Sequence, residues 1–169
     1  MQTKDTLRLV LFSNCHKSCA GCCNKDIDYS QVPAVSSFAE YTYIMITGGE
    51  PMLAPWTIKS AVDQIREQND EVKIVLYTAL PKHKEIYEIL DIVDGITVTI
   101  HDQSDVDEFF EFQKMLPHSM MYNKSFRLNI FNDIEINKQY VYSVFKIKDN
   151  IEWIKDCPLP ENEVLMRWM

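Results

Sequence analysis

Apolar residues along this chain fall into two alternating patterns. Short runs dense in aliphatic and β-branched residues, at 7–12, 41–47, 72–78, 96–101 and 126–131, have strand length and read as five strands. In the fourth run Ile96, Val98 and Ile100 alternate with threonines. A sixth strand is expected within 140–147. Between these runs the spacing changes to that of a helix. Ile58, Ala61, Val62 and Ile65 fall on one face, with Pro55 suited to the first turn. Ile86, Tyr87, Leu90 and Val93 form a second such face. Ser104 with Asp107 three positions on predicts a capped helix start, followed by the stripe Val106, Phe109 and Phe110. The segment 20–40 lacks either period and is expected to be a loop with at most a short helix.

Strand–helix alternation implies a parallel sheet with right-handed crossovers. A closed eight-unit barrel takes about 250 residues. The 169 residues here supply five or six units. The expected fold class is therefore α/β, an open, partial parallel (βα)5–6 barrel. One domain is expected over 1–169, with no repeat or linker and with a carboxy-terminal strand and cover segment at 138–169.

Composition adds exclusions. With 46% hydrophobic and 25% charged residues the chain is ordinary for a globular protein. No apolar run has the ~20 residues of a membrane span, so no membrane partner is expected. A net charge of -8 opposes phosphate backbones, so nucleic acid is not expected as a partner. The first residues, 1–7, are polar and lead into a strand rather than into a signal peptide, and a cytoplasmic location is expected.

The cysteines are Cys15, Cys19, Cys22, Cys23 and Cys157. Four of them crowd into the loop at 14–24, where a disulfide framework would spread them. Crowding points to metal. Three thiolates at C-x3-C-x2-C spacing can hold three corners of a four-iron cluster, leaving the fourth iron open to a small ligand. Two other readings stand beside it. One is structural zinc, with His16, Cys23 or Cys157 as fourth ligand, although zinc sites more often pair two C-x2-C units. The other is a closed electron-transfer cluster completed by Cys23 or Cys157. Cys23 directly follows Cys22 and reads better as a small buried hydrophobe.

Parallel α/β folds collect their chemistry beyond the carboxyl ends of the strands. There the cysteine loop, Gly48-Gly49-Glu50-Pro51, Thr78, His101 and Asn129 should meet. His83 and His118 read as surface residues, and Met115, Met120 and Met121 as packing. Trp153 and Trp168 read as core, or as a cover over the barrel mouth.

Two motifs in order, C-x3-C-x2-C at Cys15, Cys19 and Cys22 and G-G-E-P at 48–51, lie about 25 positions apart. On these the chain resembles the radical S-adenosylmethionine (radical SAM) enzymes, over most of its length. The resemblance implies a [4Fe-4S] cluster on the three cysteines, which are both metal ligands and catalytic. It implies S-adenosylmethionine bound through its amino and carboxylate groups to the open iron. Reductive cleavage then yields methionine and a 5'-deoxyadenosyl radical that abstracts hydrogen from a substrate. Gly48 and Gly49 would let backbone approach the ligand. Glu50 would accept from its ammonium, and Pro51 would stiffen the turn. Thr78, His101 and Asn129 are the further cofactor-binding candidates. An external donor of flavodoxin or ferredoxin type is implied. Gly21 stands where many members carry an aromatic residue before the third cysteine, so the adenine is expected to pack on another ring, Phe12 or Tyr77.

Within the family the loop is most similar to glycyl-radical activases, which carry Gly before the third cysteine and Asn two after it, as in Gly21-Cys22-Cys23-Asn24. That likeness implies a protein substrate. A small-molecule enzyme similar to 7-carboxy-7-deazaguanine synthase, a peptide-modifying enzyme, and a non-catalytic iron–sulfur protein are the alternatives.

Overall fold

The computed structural model describes residues 5–155 and 157–169. The opening residues 1–4 lie outside them. Seven strands form one sheet: β1 (Thr6–Val10), β2 (Tyr43–Thr47), β3 (Lys73–Thr78), β4 (Gly95–Ile100), β5 (Ser125–Phe131), β6 (Phe145–Ile151) and β7 (Glu163–Arg167). Their order is β6-β5-β4-β3-β2-β1-β7, and every neighbouring pair is parallel. Four α-helices are described: α1 (Pro55–Gln68), α2 (Ile86–Ile92), α3 (Asp105–Lys114) and α4 (His118–Met121). The fold is α/β with an open, all-parallel sheet. Among the described residues no helix is long and apolar enough to cross a membrane.

The two faces of the sheet differ sharply. Successive residues of a strand point to opposite faces. Leu7 and Leu9, Ile44 and Ile46, Ile74 and Leu76, Ile96, Val98 and Ile100, and Phe126, Leu128 and Ile130 share one face and are buried. They merge with Ile58, Ala61, Val62 and Ile65 of α1, Ile86, Ile89 and Leu90 of α2, and Phe109 and Phe112 of α3 into one apolar cluster. Burying each such side chain contributes about 1.5–3 kcal/mol. The register places Arg8, Tyr43, Thr47, Tyr77, Thr97, Thr99, Arg127, Asn129 and Lys148 on the opposite face. Parallel sheets are ordinarily apolar on both sides. This face also carries the buried Val10, Met45 and Val75, so it is mixed rather than apolar throughout.

One cavity is lined by residues of β1 to β6 together, so the sheet curves around it, compatible with a partial barrel. The first five strands lie where periodicity predicts them, within a few residues at each end. β6 runs Phe145–Ile151, later than expected, because the chain still turns through 141–144 after a 3-10 turn at Lys138–Tyr140. β7 was not expected. It pairs in parallel with the outer edge of β1, from Thr6 opposite Glu163 to Val10 opposite Arg167. The loop expectation at 20–40 agrees with two 3-10 turns, Cys23–Lys25 and Tyr29–Gln31. The start of α3 differs from the expected capping pair. The Ser104 amide and hydroxyl both donate to Asp102, and Asp105 accepts the backbone N–H groups of His101 and Asp102.

Candidate cofactor and active site

Because all the strands run the same way, their carboxyl ends share one side of the sheet, and the loops leaving β1 to β5 gather there. A cavity of about 320 Å³ is lined by Cys15, Cys19 and Cys22, by Gly48, Gly49 and Glu50, by Thr78, and by His101 and Asn129. Of the residues expected at the site only Pro51 is missing from its wall; it is buried at the first position of a 3-10 turn. Larger grooves of about 480 and 460 Å³ flank it. The first lacks cysteine altogether and the second holds only Cys19, so Cys15, Cys19 and Cys22 meet only in the smaller of these three cavities.

The cysteine loop is held from two sides. Its entry runs across the Gly48-Gly49 turn, with Gly49 N–H donating to the Phe12 carbonyl at 2.9 Å and Glu50 N–H to the Asn14 carbonyl at 2.7 Å. A Cβ on Gly48 would lie 2.7 Å from the Phe12 carbonyl oxygen, and one on Gly49 would overlap the Asn14 carbonyl. Gly48 also has φ +112°, where side chains are disfavoured. The close approach that both glycines permit is to the cysteine loop itself. On the other side Lys17 pairs with Asp102 at 2.8 Å and Asp105 at 2.7 Å. Burial opposes the Lys17 charge, but the two aspartates outweigh it and raise Lys17 to about 12. Lys17, with help from Ser104, lowers Asp102 to about 2.

Glu50 is 2% exposed and already well occupied. It accepts from Met52 N–H at 2.9 Å, Thr78 hydroxyl at 2.6 Å and Ala79 N–H at 2.8 Å. Burial pushes its carboxyl up while these donors oppose the shift. Thr78 in turn accepts from Leu80 N–H at 2.9 Å. Glu50 and Thr78 therefore lock the turn after β2 to the turn after β3. His101 is half-buried, and burial lowers its pKa, favouring the neutral ring. It stacks on Phe131 at 5.0 Å and on Trp153 at 5.5 Å between ring centres.

Cys23 corrects the expectation of a free buried thiol and of cysteines used only for metal. It forms a disulfide with Cys157, with Cα atoms 5.8 Å apart. Cys15, Cys19 and Cys22 are the free cysteines. Among the described residues no three His, Cys, Asp or Glu side chains converge on a point where one metal ion would sit. A four-iron cluster makes a different demand, since each thiolate binds its own iron. The surroundings suit that donor set. Lys17 N–H points to Cys15 Sγ at 3.5 Å, and the buried Tyr29 hydroxyl has no partner among the described residues. Burial, then the neighbouring Cys22 and Cys15, pushes Tyr29 up to about 12, so its hydroxyl keeps its proton. Burial and Cys22 likewise raise Cys19, favouring its protonated thiol.

Several lining residues were not anticipated: Arg8, Thr47, Thr99, Phe131, Lys148 and Ile151. Trp153, read as core or cover, is 37% exposed and lies over the cavity between His101, Phe131 and Gly21. A Cβ on Gly21 would lie 3.0 Å from the Trp153 side chain. Of the rings expected to meet an adenine, Tyr77 lines the cavity, whereas Phe12 packs against the core. Trp168 packs on the core and donates to Gln64 at 2.8 Å. The period-2 pattern could have flagged Arg8 and Thr99, which alternate with buried aliphatics. No family model matches the chain, and no curated protein matches it.

Proposed function

We propose that this chain is a radical SAM enzyme that uses a [4Fe-4S] cluster on Cys15, Cys19 and Cys22 to cleave S-adenosylmethionine reductively and start hydrogen abstraction. One observation carries the reading most. The three cysteines of the motif are the free ones and share a cavity with the Gly48-Gly49 turn, while Cys23 and Cys157 bind each other and offer no fourth thiolate. Bound there, the cluster would supply an electron and an open iron.

The chain's own residues do the rest. Gly48 and Gly49 let the cysteine loop lie flat on the turn after β2. Lys17, Asp102 and Asp105 anchor its middle. Tyr29 holds a buried hydroxyl without a partner among the described residues, free to donate to a bound group. Trp153 fills the space over Gly21 and presents a flat ring beside His101 and Phe131, where a purine can stack. The sheet face below keeps polar groups toward the cavity and so can orient a substrate. A soluble electron donor of flavodoxin or ferredoxin type completes the reaction.

The test is anaerobic. The protein is reconstituted with iron and sulfide, given S-adenosylmethionine and dithionite, and 5'-deoxyadenosine is quantified. Formation by the wild type and none by the Cys15→Ala, Cys19→Ala, Cys22→Ala triple variant is the expected result. A stable cluster without cleavage, even with substrates present, would make the chain an electron carrier or a binding module.

A further inference from the structure

The connection from β6 to β7 crosses the whole sheet, because those two strands stand at its opposite edges. The Ile151 carbonyl accepts from Asn132 N–H where the segment starts, and the Asn162 carbonyl accepts from Thr6 N–H where it ends. Between those points, among the described residues, its hydrogen bonds are local turns and it makes no ion pair. Its apolar side chains Ile154 and Leu159 are exposed and stand outside the core. Two links hold it down. The Trp153 ring lies over Gly21 and stacks on His101 and Phe131. Cys157 is joined to Cys23. Gly21 and Cys23 flank Cys22, so the segment clasps the cysteine loop on either side of its third cysteine.

A segment with so few contacts stays closed only while its anchors hold. Aromatic stacking is the weak anchor of the two, while the disulfide is a covalent one that a change of redox state removes. Cys23 and Cys157 are both partly exposed, within reach of an attacking thiolate. Disulfides that form in the cytoplasm, the location expected for this chain, are ordinarily transient and redox-sensing. The site cysteines differ in how the clasp meets them. Cys15 is exposed, whereas Cys22, between the two anchors, is half-buried.

We propose that the Cys23–Cys157 disulfide is a reversible redox clasp over the cavity. A dithiol reductant opens it by thiol–disulfide exchange. The Cys23–Cys157 bond breaks, the dithiol loses two electrons and two protons and closes its own disulfide, and Cys23 and Cys157 take them up as two thiols. Trp153 then leaves the cavity mouth and Cys22 is uncovered. Exchange with a disulfide compound runs the same steps backwards and closes the clasp. The inference rests on the proposed function only for what enters the open cavity; the exchange itself needs neither cluster nor cofactor.

The test uses the metal-free chain, oxidised with glutathione disulfide and mapped by peptide mass spectrometry. A Cys23–Cys157 pair with Cys15, Cys19 and Cys22 free is expected, and any other pairing overturns the proposal. Labelling by N-ethylmaleimide is then followed site by site. Reduction with dithiothreitol, removed before labelling, should speed Cys22 relative to the already exposed Cys15 by about tenfold or more, since a strap held at one end opens as a frayed segment does. Reoxidation should return the wild type to the slow rate. Cys157→Ser should label fast under both conditions. Amide exchange at Leu7, Ile44 and Ile74 should stay the same throughout, which separates an opened clasp from a loosened fold. A Cys22 rate indifferent to redox state overturns the proposal. So does a rise shared equally by Cys15 and accompanied by lost protection of these strands. Redox-dependent labelling without 5'-deoxyadenosine formation in the cluster-loaded protein would keep the clasp and remove the radical chemistry; the reverse would do the opposite.

Discussion

A methyl group on Gly49 would enter the space of the Asn14 carbonyl, and backbone is poor at yielding. Gly49→Ala should therefore push the cysteine loop off the turn after β2 and break the Gly49 N–H to Phe12 bond. We expect a loss of about 1–3 kcal/mol, the usual cost of overpacking. Urea unfolding checks the stability, and the rate at which a thiol reagent labels Cys15, Cys19 and Cys22 checks the loop. An unchanged midpoint and labelling rate would mean the loop has room to spare. The cysteine spacing and the paired glycines were legible in the sequence because both are local patterns. The reason for the glycines was not, since it lies in a contact between segments over thirty positions apart, Ser13 and Asn14 against Gly48 and Gly49. Glu50 shows the same limit. Its motif suggested a ligand contact, while its three donors come from Met52, Thr78 and Ala79 and make it a brace between two turns.

Elements bring a second kind of information. The segment after β6 has little apolar pattern, yet it reaches back over the cavity through two anchors: Trp153 stacked near His101 and Phe131, and Cys157 joined to Cys23. The cross-link closes a sequence separation of 134 residues. Chain-entropy arguments put the stabilisation from such a loop at up to about 5 kcal/mol. Cys157→Ser, or reduction of the wild type, should lower the melting temperature. It should also free Trp153, read as a red shift in its fluorescence and faster quenching by acrylamide. If neither changes, the stacking alone holds the segment and the disulfide is incidental. Cysteine counting could not reveal this pair. Cys23 sits inside a metal-like cluster of cysteines, and only the return of the chain at 153–157 gives it another partner. Strands one to five were legible because their buried faces repeat with period 2, and β6 was displaced because the chain turns through 141–144 before it and only Phe145 of the strand is buried.

For the molecule as a whole, the open sheet poses the question of its edges. An unpaired edge beside the first strand would expose backbone groups at the foot of the cysteine loop. β7 covers that edge; its apolar residues Val164, Leu165 and Met166 are consecutive, without the period-2 alternation of a strand with one buried face, which is why periodicity missed it. Its bonds reach three parts of the fold. Arg167 N–H donates to the Pro33 carbonyl at 2.8 Å and the Arg167 carbonyl accepts from Val35 N–H at 2.9 Å, fixing the long connection between β1 and β2. Trp168 N–H donates to the Val10 carbonyl at 2.8 Å, at the end of the strand that leads into the cysteine loop. The Trp168 ring donates to Gln64 on α1. Glu163 pairs with Arg8, so β7 also sets the charge of one cavity wall. Deleting 161–169 should therefore act at a distance. Thermal stability should fall, the chain should self-associate through the bared β1 edge, and the site cysteines should label faster, all while α2 and α3 keep their packing. Size-exclusion chromatography, hydrogen exchange and thiol labelling read these separately. A truncated chain that stays monomeric, with unchanged protection at Leu7, Leu9 and Val10, would show that β7 merely decorates an edge the rest of the fold already protects. The other result would make the carboxy-terminal strand part of the site's foundation, because the loop that carries the cysteines leaves the sheet from the strand that β7 holds.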